Sequence, residues 1–161
     1  GLPDPQHYST ASDLARLTQA LIRDFPEFYP IYATRDYTYN KITQPNRNRL
    51  LWLDPTVDGV KTGHTEAAGY CLIASSKRGP RRLISVVLGT ASDSARAQES
   101  LKLLSHGFLA FDAVRLYDKN FAISQLKVFK GTQNTVKAGF TEDFVLSLPQ
   151  GPPNLRQGGR R

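Results

Sequence analysis

The sequence contains no methionine, one cysteine and one tryptophan. A single cysteine, Cys71, rules out an intrachain disulfide and a cysteine-rich zinc site. The three histidines are scattered along the chain, so we expect neither a structural metal nor a cofactor. Long apolar runs are also missing: residues 70–74 fall far short of the roughly 18 to 20 residues that a membrane-spanning helix needs. With 40% hydrophobic residues, the chain can nevertheless bury a core.

Basic residues outnumber acidic residues by 21 to 14, which gives a net charge of +7. This excess of basic residues lies in one short turn and in the C-terminal tail. These two clusters consist of Lys77, Arg78, Arg81 and Arg82, and of Arg156, Arg160 and Arg161. The remaining chain is electrically balanced. We interpret the basic turn as a solvated loop, with binding to nucleic acid or to an anionic surface as the alternative.

Periodic apolar residues near the N-terminus predict a helix. Capping residues around Thr10 precede an apolar stripe that ends before Pro26, which predicts a helix over about residues 10–24. The stripe consists of Leu14, Leu17, Leu21 and Phe25. Residues 31–42 are aromatic and β-prone but irregular, and they indicate a short strand or an extended loop.

Three apolar segments, 57–61, 69–76 and 82–89, predict strands, and Gly79-Pro80 joins the last two into a hairpin. Their nearly continuous apolar character is typical of strands that are covered on both faces. A second helix is predicted after the capping residues 92–94, and it should pack on this sheet. Its apolar face would consist of Ala97, Leu101, Leu104, Phe108 and Phe111.

From Val114 onward the chain changes to short apolar runs separated by glycine and aspartate. The runs span residues 121–129, 135–138 and 144–148. They predict the beginning of a β-rich second domain, so we assign residues 1–113 to a first domain and residues 114–161 to a truncated second one. Residues 149–161 are rich in glycine, proline and arginine, which predicts an exposed or frayed tail.

The most informative segment, residues 58–65, leaves a predicted strand through a glycine-containing turn. It reads Asp-Gly-Val-Lys-Thr-Gly-His-Thr. At its centre, Lys61-Thr62-Gly63 matches the third motif of the serine β-lactamase and penicillin-binding protein superfamily. Three residues alone would be weak evidence, because such a tripeptide arises by chance in many proteins.

The surrounding residues strengthen this match. Segments 46–52, 57–65 and 68–70 resemble the low-molecular-mass penicillin-binding proteins that are D-alanyl-D-alanine carboxypeptidases, the group that includes penicillin-binding proteins 5 and 6. The resemblance runs over about residues 1–148 and fades after residue 113. It implies an α/β (α+β) penicillin-binding and serine β-lactamase-like domain, with an antiparallel sheet covered by helices, followed by the start of a small β-rich C-terminal domain.

The resemblance also implies that residues 61–64 form one wall of a cleft in which a peptide is hydrolysed through a serine ester. Lys61 would supply positive potential and help to move a proton, and Thr62 would offer its hydroxyl to the substrate's terminal carboxylate. Gly63 would let the substrate lie antiparallel beside the strand. The backbone N–H of His64 would be one of two oxyanion donors. A surface turn residue is the alternative for His64.

Two arginines match basic residues that the family places near the ligand carboxylate. Arg47 lies in the Asn-Arg-Asn segment, and Arg96 lies at the start of the helix after the third strand. The resemblance implies that both arginines steer and orient the carboxylate. The alternative for Arg47 is a structural anchor of its own loop, and the alternative for Arg96 is a solvated helix residue.

Two further motifs of this family have no counterpart where they are expected. The family's Ser-x-x-Lys nucleophile motif precedes the Lys-Thr-Gly strand, whereas residues 124–127 follow it in a predicted strand, and we interpret their match as a coincidence. No Ser-x-Asn tripeptide occurs. We expect that both motifs precede Gly1, that this chain is the C-terminal portion of a longer enzyme without the nucleophile, and that a membrane-anchoring helix follows Arg161.

The leading hypothesis is the cleft-wall portion of a serine-type D-Ala-D-Ala carboxypeptidase that removes the terminal D-alanine from peptidoglycan pentapeptides. The expected partners are the pentapeptide, β-lactam antibiotics, the N-terminal portion of the same enzyme and, through the anchor, the bacterial inner-membrane surface on its periplasmic side. A non-catalytic peptidoglycan-binding protein with the same cleft is the second hypothesis. An anionic-surface or nucleic-acid binding module comes last, and we expect no nucleic-acid partner, because aromatic residues do not alternate with the basic clusters.

Overall fold

A computed structural model describes residues 3–150 of the chain. Most of the predicted C-terminal tail therefore lies outside the described residues. The chain divides into two units, Gly1–Phe108 and Leu109–Arg161. The domain boundary predicted near residue 113 falls inside a strand, and the assignment of residues 1–113 and 114–161 to two domains stays a prediction.

The first unit begins with helix α1 and ends in helix α3, and a three-stranded antiparallel sheet lies between them in the sequence. In chain order its elements are α1 (Ala11–Asp24), a 3₁₀ turn (Tyr29–Ala33), β1 (Asp36–Tyr39), β2 (Ile42–Pro45), α2 (Leu50–Leu53), β3 (Val57–Thr65), β4 (Gly69–Arg78), β5 (Arg81–Thr90) and α3 (Asp93–Ala110). Within the described part of the chain, no helix is both long enough and apolar enough to cross a bilayer.

Helix α1 confirms the predicted helix, including its capping residue. The Thr10 hydroxyl oxygen accepts a hydrogen bond from the Asp13 N–H, which satisfies one of the free donors of the first turn. The predicted apolar stripe is wrong in part, because Leu17 is 65% exposed and Phe25 is 51% exposed. The buried residue of this helix is Thr18, whose hydroxyl donates to the Leu14 carbonyl. The hydroxyl of the buried Thr18 is thus hydrogen-bonded within its own helix.

Strands β3, β4 and β5 confirm the three predicted strands and form a sheet in the order β3-β4-β5. The predicted hairpin joins β4 and β5 through the two residues Gly79 and Pro80, because Arg78 is paired directly with Arg81. Gly79 has a φ of +58°, a left-handed conformation that glycine adopts without steric cost. This order leaves β3 at one edge of the sheet.

Helices α2 and α3 contribute to a single hydrophobic core on one face of the sheet. The buried members of this core are Leu50, Leu51, Val57, Leu72, Ala74, Ala97 and Leu104. Leu101 packs against it, so α3 uses the face that the sequence predicts. Phe111 is the exception, since it is the first residue of strand β6 and not part of the helix.

The basic turn is not a solvated loop, because three of its arginines contact other elements. Arg78 forms an ion pair of 2.9 Å with Asp54. Arg81 donates to the carbonyls of Gly107 and Phe108 near the end of α3, where a cation is favourable. Arg82 forms an ion pair of 2.7 Å with Asp58. These contacts weaken the hypothesis that the turn binds nucleic acid or an anionic surface.

A polar cluster lies under the first half of β3. The Tyr29 hydroxyl donates to Asp58 Oδ1 over 2.9 Å, and Arg82 Nη1 donates to the same oxygen and to the Ser75 hydroxyl. The Arg82 guanidinium also lies 5.2 Å from the centre of the Tyr29 ring. Through the buried Tyr29, this cluster joins the 3₁₀ turn to all three strands of the sheet.

Up to residue 150, where the described residues end, the second unit contains two separate antiparallel strand pairs. Strand β6 (Phe111–Tyr117) pairs with β9 (Phe144–Pro149), and β7 (Ala122–Lys127) pairs with β8 (Thr135–Gly139). This arrangement confirms the predicted β-rich start of a C-terminal domain. Ser124 lies inside β7, so the Ser-x-x-Lys match of residues 124–127 belongs to a strand and not to a helix start.

The Tyr29 phenol provides a test of this packing. Burial raises the pKa of Tyr29 to about 12, and the nearby Asp58 carboxylate also raises it. Since this pKa exceeds the value of about 10 for an unfolded chain, the neutral phenol stabilises the fold below pH 10, and that contribution is lost as the pH rises to 12. We expect the unfolding free energy of the wild-type protein to fall between pH 10 and pH 12. The fall should be about 2 kcal/mol larger than the fall for the Tyr29→Phe variant over the same range. Urea unfolding at each pH measures both.

The exposed Tyr37 offers a matched control, because Tyr37→Phe removes a phenol hydroxyl that the fold does not bury. Phenolate absorbance provides a second measurement, in which Tyr29→Phe should remove the component that titrates last. If both tyrosine variants gave the same pH dependence, the buried position of Tyr29 would be contradicted.

Candidate active site

The outer edge of β3 borders a cavity of about 770 Å³ in the first unit. All six residues that the sequence predicts for the site line this cavity: Arg47, Lys61, Thr62, Gly63, His64 and Arg96. Three elements contribute them, namely the segment before α2, strand β3 and the first turn of α3. The fold thus brings together residues that are up to 49 positions apart in the sequence.

Lys61 and Thr62 are neighbours on a strand and therefore point to opposite faces of the sheet. The pairing with β4 agrees with this, because Thr62 is opposite the core residue Leu72 and Lys61 is opposite Ile73. Both side chains nevertheless border the same cavity, since the cavity opens at the edge of the sheet. The edge position is thus what lets both side chains of this dipeptide line one cavity.

The side chains of β3 differ in how they are engaged. The Lys61 ammonium donates to the Thr62 carbonyl over 2.7 Å and remains exposed. The Thr62 hydroxyl has no hydrogen-bond partner among residues 3–150, and the side chain is half-buried. The His64 ring lies against the Tyr70 ring, with 3.9 Å between the ring centres. Thr62 therefore presents a hydroxyl to the cavity that a ligand can use.

Arg96 is 5% exposed, and its guanidinium is engaged within the protein. Its Nη1 donates to the Gly63 carbonyl over 3.1 Å and lies 3.5 Å from the Cys71 carbonyl oxygen, while Nη2 donates to the Asp93 carboxylate. A buried, hydrogen-bonded guanidinium holds backbone groups in place at least as much as it attracts a ligand. Arg96 is therefore not a solvated helix residue, and its role in substrate binding stays a prediction.

Arg47 differs from Arg96 in its exposure and in its hydrogen bonds. Its side chain is exposed, and within residues 3–150 no hydrogen bond or ion pair engages its guanidinium. The loop that carries it is held by its two asparagine neighbours: Asn46 Nδ2 donates to the Thr34 carbonyl, and Asn48 Nδ2 donates to the Gly59 carbonyl. The loop is thus anchored by Asn46 and Asn48, which leaves Arg47 available for an anionic ligand.

Cationic side chains dominate the cavity. Four of them line it, together with one acidic residue: Arg47, Arg49, Lys61, Arg96 and Asp93. Asp93 already accepts from Arg96 and lies 3.6 Å from Arg49 Nε, so its charge is offset within the wall. A cleft lined by one sign of charge raises the local concentration of ions of the opposite sign. The cavity therefore suits a small anionic group such as a carboxylate.

Five lining residues were not predicted as site residues from the sequence: Pro45, Asn46, Arg49, Tyr70 and Asp93. Asp93 was recognised only as a capping residue, although its spacing of three positions before Arg96 is that of a helical ion pair. Arg49 belongs to the same Asn-Arg-Asn-Arg segment as Arg47. Among residues 3–150, no cluster of histidine, cysteine or acidic residues has the composition to hold a metal ion.

The two predicted arginines should respond differently to truncation. We expect Arg96→Ala to lower the unfolding free energy by about 3 kcal/mol, because it removes a buried donor from the Gly63 carbonyl and a partner from Asp93. We expect Arg47→Ala to change it by less than about 0.5 kcal/mol, because Arg47 is exposed. Urea unfolding followed by circular dichroism measures both. Equal losses for the two variants would contradict this division.

Comparison with known proteins assigns the two parts of the chain to families. Residues 1–92 match the D-alanyl-D-alanine carboxypeptidase family, and residues 111–154 match the C-terminal domain family of penicillin-binding protein 5. The D-alanyl-D-alanine carboxypeptidase DacA of Haemophilus influenzae is 46% identical over 154 residues, which cover 94% of this chain and 39% of that protein. The chain thus spans about two fifths of the length of this relative.

Solved structures give the same result. The crystal structure of penicillin-binding protein 5 from Haemophilus influenzae has a TM-score of 0.86 and 46% identity, and covers 96% of this chain and 45% of that one. Penicillin-binding protein D2 from Listeria monocytogenes in its ampicillin-bound form has a TM-score of 0.61 and 35% identity, and covers 67% of this chain and 46% of that one.

These matches confirm the resemblance and the fold class inferred from the sequence, including the antiparallel sheet with its helices and the β-rich C-terminal strands. The family match alone extends over more than half of the residues. The chain therefore belongs to the D-alanyl-D-alanine carboxypeptidase family.

Proposed function

We propose that this chain supplies the Lys-Thr-Gly wall and the carboxylate-binding groups of a serine-type D-Ala-D-Ala carboxypeptidase, which removes the terminal D-alanine from peptidoglycan pentapeptides. The observation that carries the proposal is the joint placement of Lys61, Thr62 and Arg47 around one cationic cavity at a strand edge. A peptide that ends in a carboxylate has two features that suit this cavity: a backbone that can pair with a strand, and a terminal negative charge.

The substrate would lie antiparallel beside β3, with its terminal carboxylate at the Thr62 hydroxyl and the Arg47 guanidinium. Gly63 leaves room for this approach, because it carries no side chain at the exposed edge. A serine hydroxyl would attack the carbonyl of the penultimate D-alanine, and the developing oxyanion would be held by the His64 N–H. The peptide C–N bond would then break, and the amine of the leaving D-alanine would take up the proton that the serine hydroxyl gave up. Water would then hydrolyse the ester. Lys61 would stabilise the negative charge in this step.

We propose that the nucleophile comes from a part of the enzyme outside this chain. No serine lines the described cavity, where Thr62 and Tyr70 are the hydroxyl-bearing residues. The chain aligns with about two fifths of DacA from Haemophilus influenzae, which leaves ample sequence to carry the Ser-x-x-Lys and Ser-x-Asn motifs. A non-catalytic protein with the same cleft would lack that serine.

We further propose that β-lactams acylate the complete enzyme. The ampicillin-bound form of the related Listeria protein supports this, and β-lactams carry a carboxylate that the same cationic cavity can bind. Because peptidoglycan lies outside the inner membrane, the proposed location is the periplasm. Attachment to the membrane surface through a further C-terminal helix remains a prediction from the family resemblance.

The central assignment predicts the effect of removing the Lys61 charge or the Thr62 hydroxyl. In the complete enzyme, we expect Lys61→Ala and Thr62→Val each to reduce acylation by a fluorescent penicillin and release of D-alanine by about a hundredfold or more. Lys77→Ala serves as the matched control, because Lys77 is exposed and does not line the cavity. Rates unchanged by both active-site variants would overturn the assignment.

The isolated chain extends this experiment. If the serine lies elsewhere, labelled penicillin should not attach covalently to residues 1–161 alone, as seen by denaturing gel and mass spectrometry. Labelling of the isolated chain would show that the nucleophile has been misplaced. A complete enzyme that binds peptidoglycan fragments but releases no D-alanine would instead support the non-catalytic alternative.

Gly63 allows substrate contact to be separated from folding. A Cβ at this position would meet Cys71 Cβ at 3.8 Å, an ordinary van der Waals distance, and no other atom within 4 Å. We therefore expect Gly63→Ala in the complete enzyme to leave the unfolding free energy within about 1 kcal/mol of the wild-type value while it lowers penicillin acylation at least about tenfold. Normal acylation by this variant would argue against a substrate strand beside β3.

A further inference from the structure

Asn48 is a buried asparagine whose amide both donates and accepts a hydrogen bond. The residue is 1% exposed, its Nδ2 donates to the Gly59 carbonyl over 2.9 Å, and its Oδ1 accepts from the Leu50 N–H over 3.2 Å. A buried polar side chain is costly unless both its donor and its acceptor are satisfied. Both partners here are backbone groups, so the amide fixes main chain to main chain.

These two partners lie next to segments that line the cavity, although neither partner lines it itself. Leu50 starts α2, directly after the loop that carries Arg47, and Gly59 lies in β3 two positions before Lys61. Within residues 3–150, the Asn48 amide makes the side-chain hydrogen bond that joins residues 46–49 to β3. This contact, together with the core packing of Leu50 and Leu51 against Val57, therefore contributes to the distance between Arg47 and the Lys61-Thr62 pair.

Other contacts hold each end of this connection. The Asn48 N–H donates to Asn46 Oδ1 over 2.9 Å, and Asn46 Nδ2 donates to the Thr34 carbonyl. On the strand side, Gly59 packs so closely against Tyr29 that a Cβ would lie 2.8 Å from the Tyr29 hydroxyl oxygen. Neither the loop nor the strand has much room to shift around Asn48.

We propose that Asn48 is a positioning residue that sets the spacing between Arg47 and Thr62, so that both can engage the same terminal carboxylate. The inference rests on the proposed function and adds a residue that acts through Arg47 without touching the substrate. An asparagine suits this task because its short, planar amide offers a donor and an acceptor at a fixed separation. An ionised aspartate has the same size but no donor for the Gly59 carbonyl.

The test measures how strongly the complete enzyme depends on the substrate carboxylate. We compare kcat/KM for peptides that end in D-Ala-D-Ala with kcat/KM for the same peptides with a C-terminal amide, and define their ratio as the carboxylate selectivity. We expect Asn48→Asp and the milder Asn48→Ser each to lower this ratio about tenfold, because a displacement of the order of 1 Å is costly in an active site. The amide substrate should be affected far less.

Combining variants separates positioning from general destabilisation. If Asn48 acts through Arg47, the double variant Arg47→Ala with Asn48→Ser should have the same carboxylate selectivity as Arg47→Ala alone. Asp54→Asn is the matched control, because Asp54 is also buried and hydrogen-bonded, but its partners Thr56 and Arg78 do not line the cavity. It should keep the wild-type selectivity even if it lowers stability.

Circular dichroism at the assay temperature confirms that each variant is folded before its kinetics are compared, and Asn48→Ser covers the case in which Asn48→Asp fails to fold. Wild-type selectivity in a folded Asn48 variant would overturn the inference, as would losses that multiply in the double variant. A wild-type enzyme that released no D-alanine would overturn the proposed function, and this inference with it.

Discussion

The position of the β3 edge depends on hydrogen bonds from side chains outside the strand. An edge strand has neighbouring backbone on one side only, so its free side can twist or shift unless other groups hold it. Asn48 holds the Gly59 carbonyl, Arg96 holds the Gly63 carbonyl, and Arg82 binds the Asp58 carboxylate. The segment between these points contains Lys61 and Thr62. A strand edge that is held at both ends does not have to become ordered when a peptide strand pairs with it. This lowers the entropic cost of binding.

The arginines of the first unit show that net charge says little about anion binding until each guanidinium is located. Those that are engaged with carboxylates or backbone carbonyls are Arg23, Arg49, Arg78, Arg81, Arg82 and Arg96. Their charges are offset within the fold, so they contribute to stability more than to the surface potential. Arg47 is exposed at the cavity, and together with Lys61 it gives the positive potential that a ligand would meet.

Local signals predicted the regular elements well, and failed where a long-range contact decided the outcome. The Thr10 cap and Pro26 bound α1 as expected, and Gly79-Pro80 forms the expected hairpin turn. Apolar spacing alone could not show that Thr18 would be buried in place of Leu17, because that depends on how α1 is rotated about its axis when it packs. The basic turn was misinterpreted for a similar reason, since the acidic and carbonyl partners of its arginines lie more than 20 positions away in the sequence.

The sequence by itself determined the family, the strand that carries the Lys-Thr-Gly motif and the six candidate site residues, because motif identity and hydrophobic periodicity are local properties of the chain. Only the tertiary structure decided which of those residues are exposed at the cavity and which are engaged within the fold. Arg47 and Arg96 look equivalent as residue types, yet one is exposed beside two anchored asparagines and the other is buried against the Gly63 carbonyl. Burial, and long-range hydrogen bonds such as that from Arg96 to the Gly63 carbonyl, arise from contacts between distant segments, so the local pattern does not encode them.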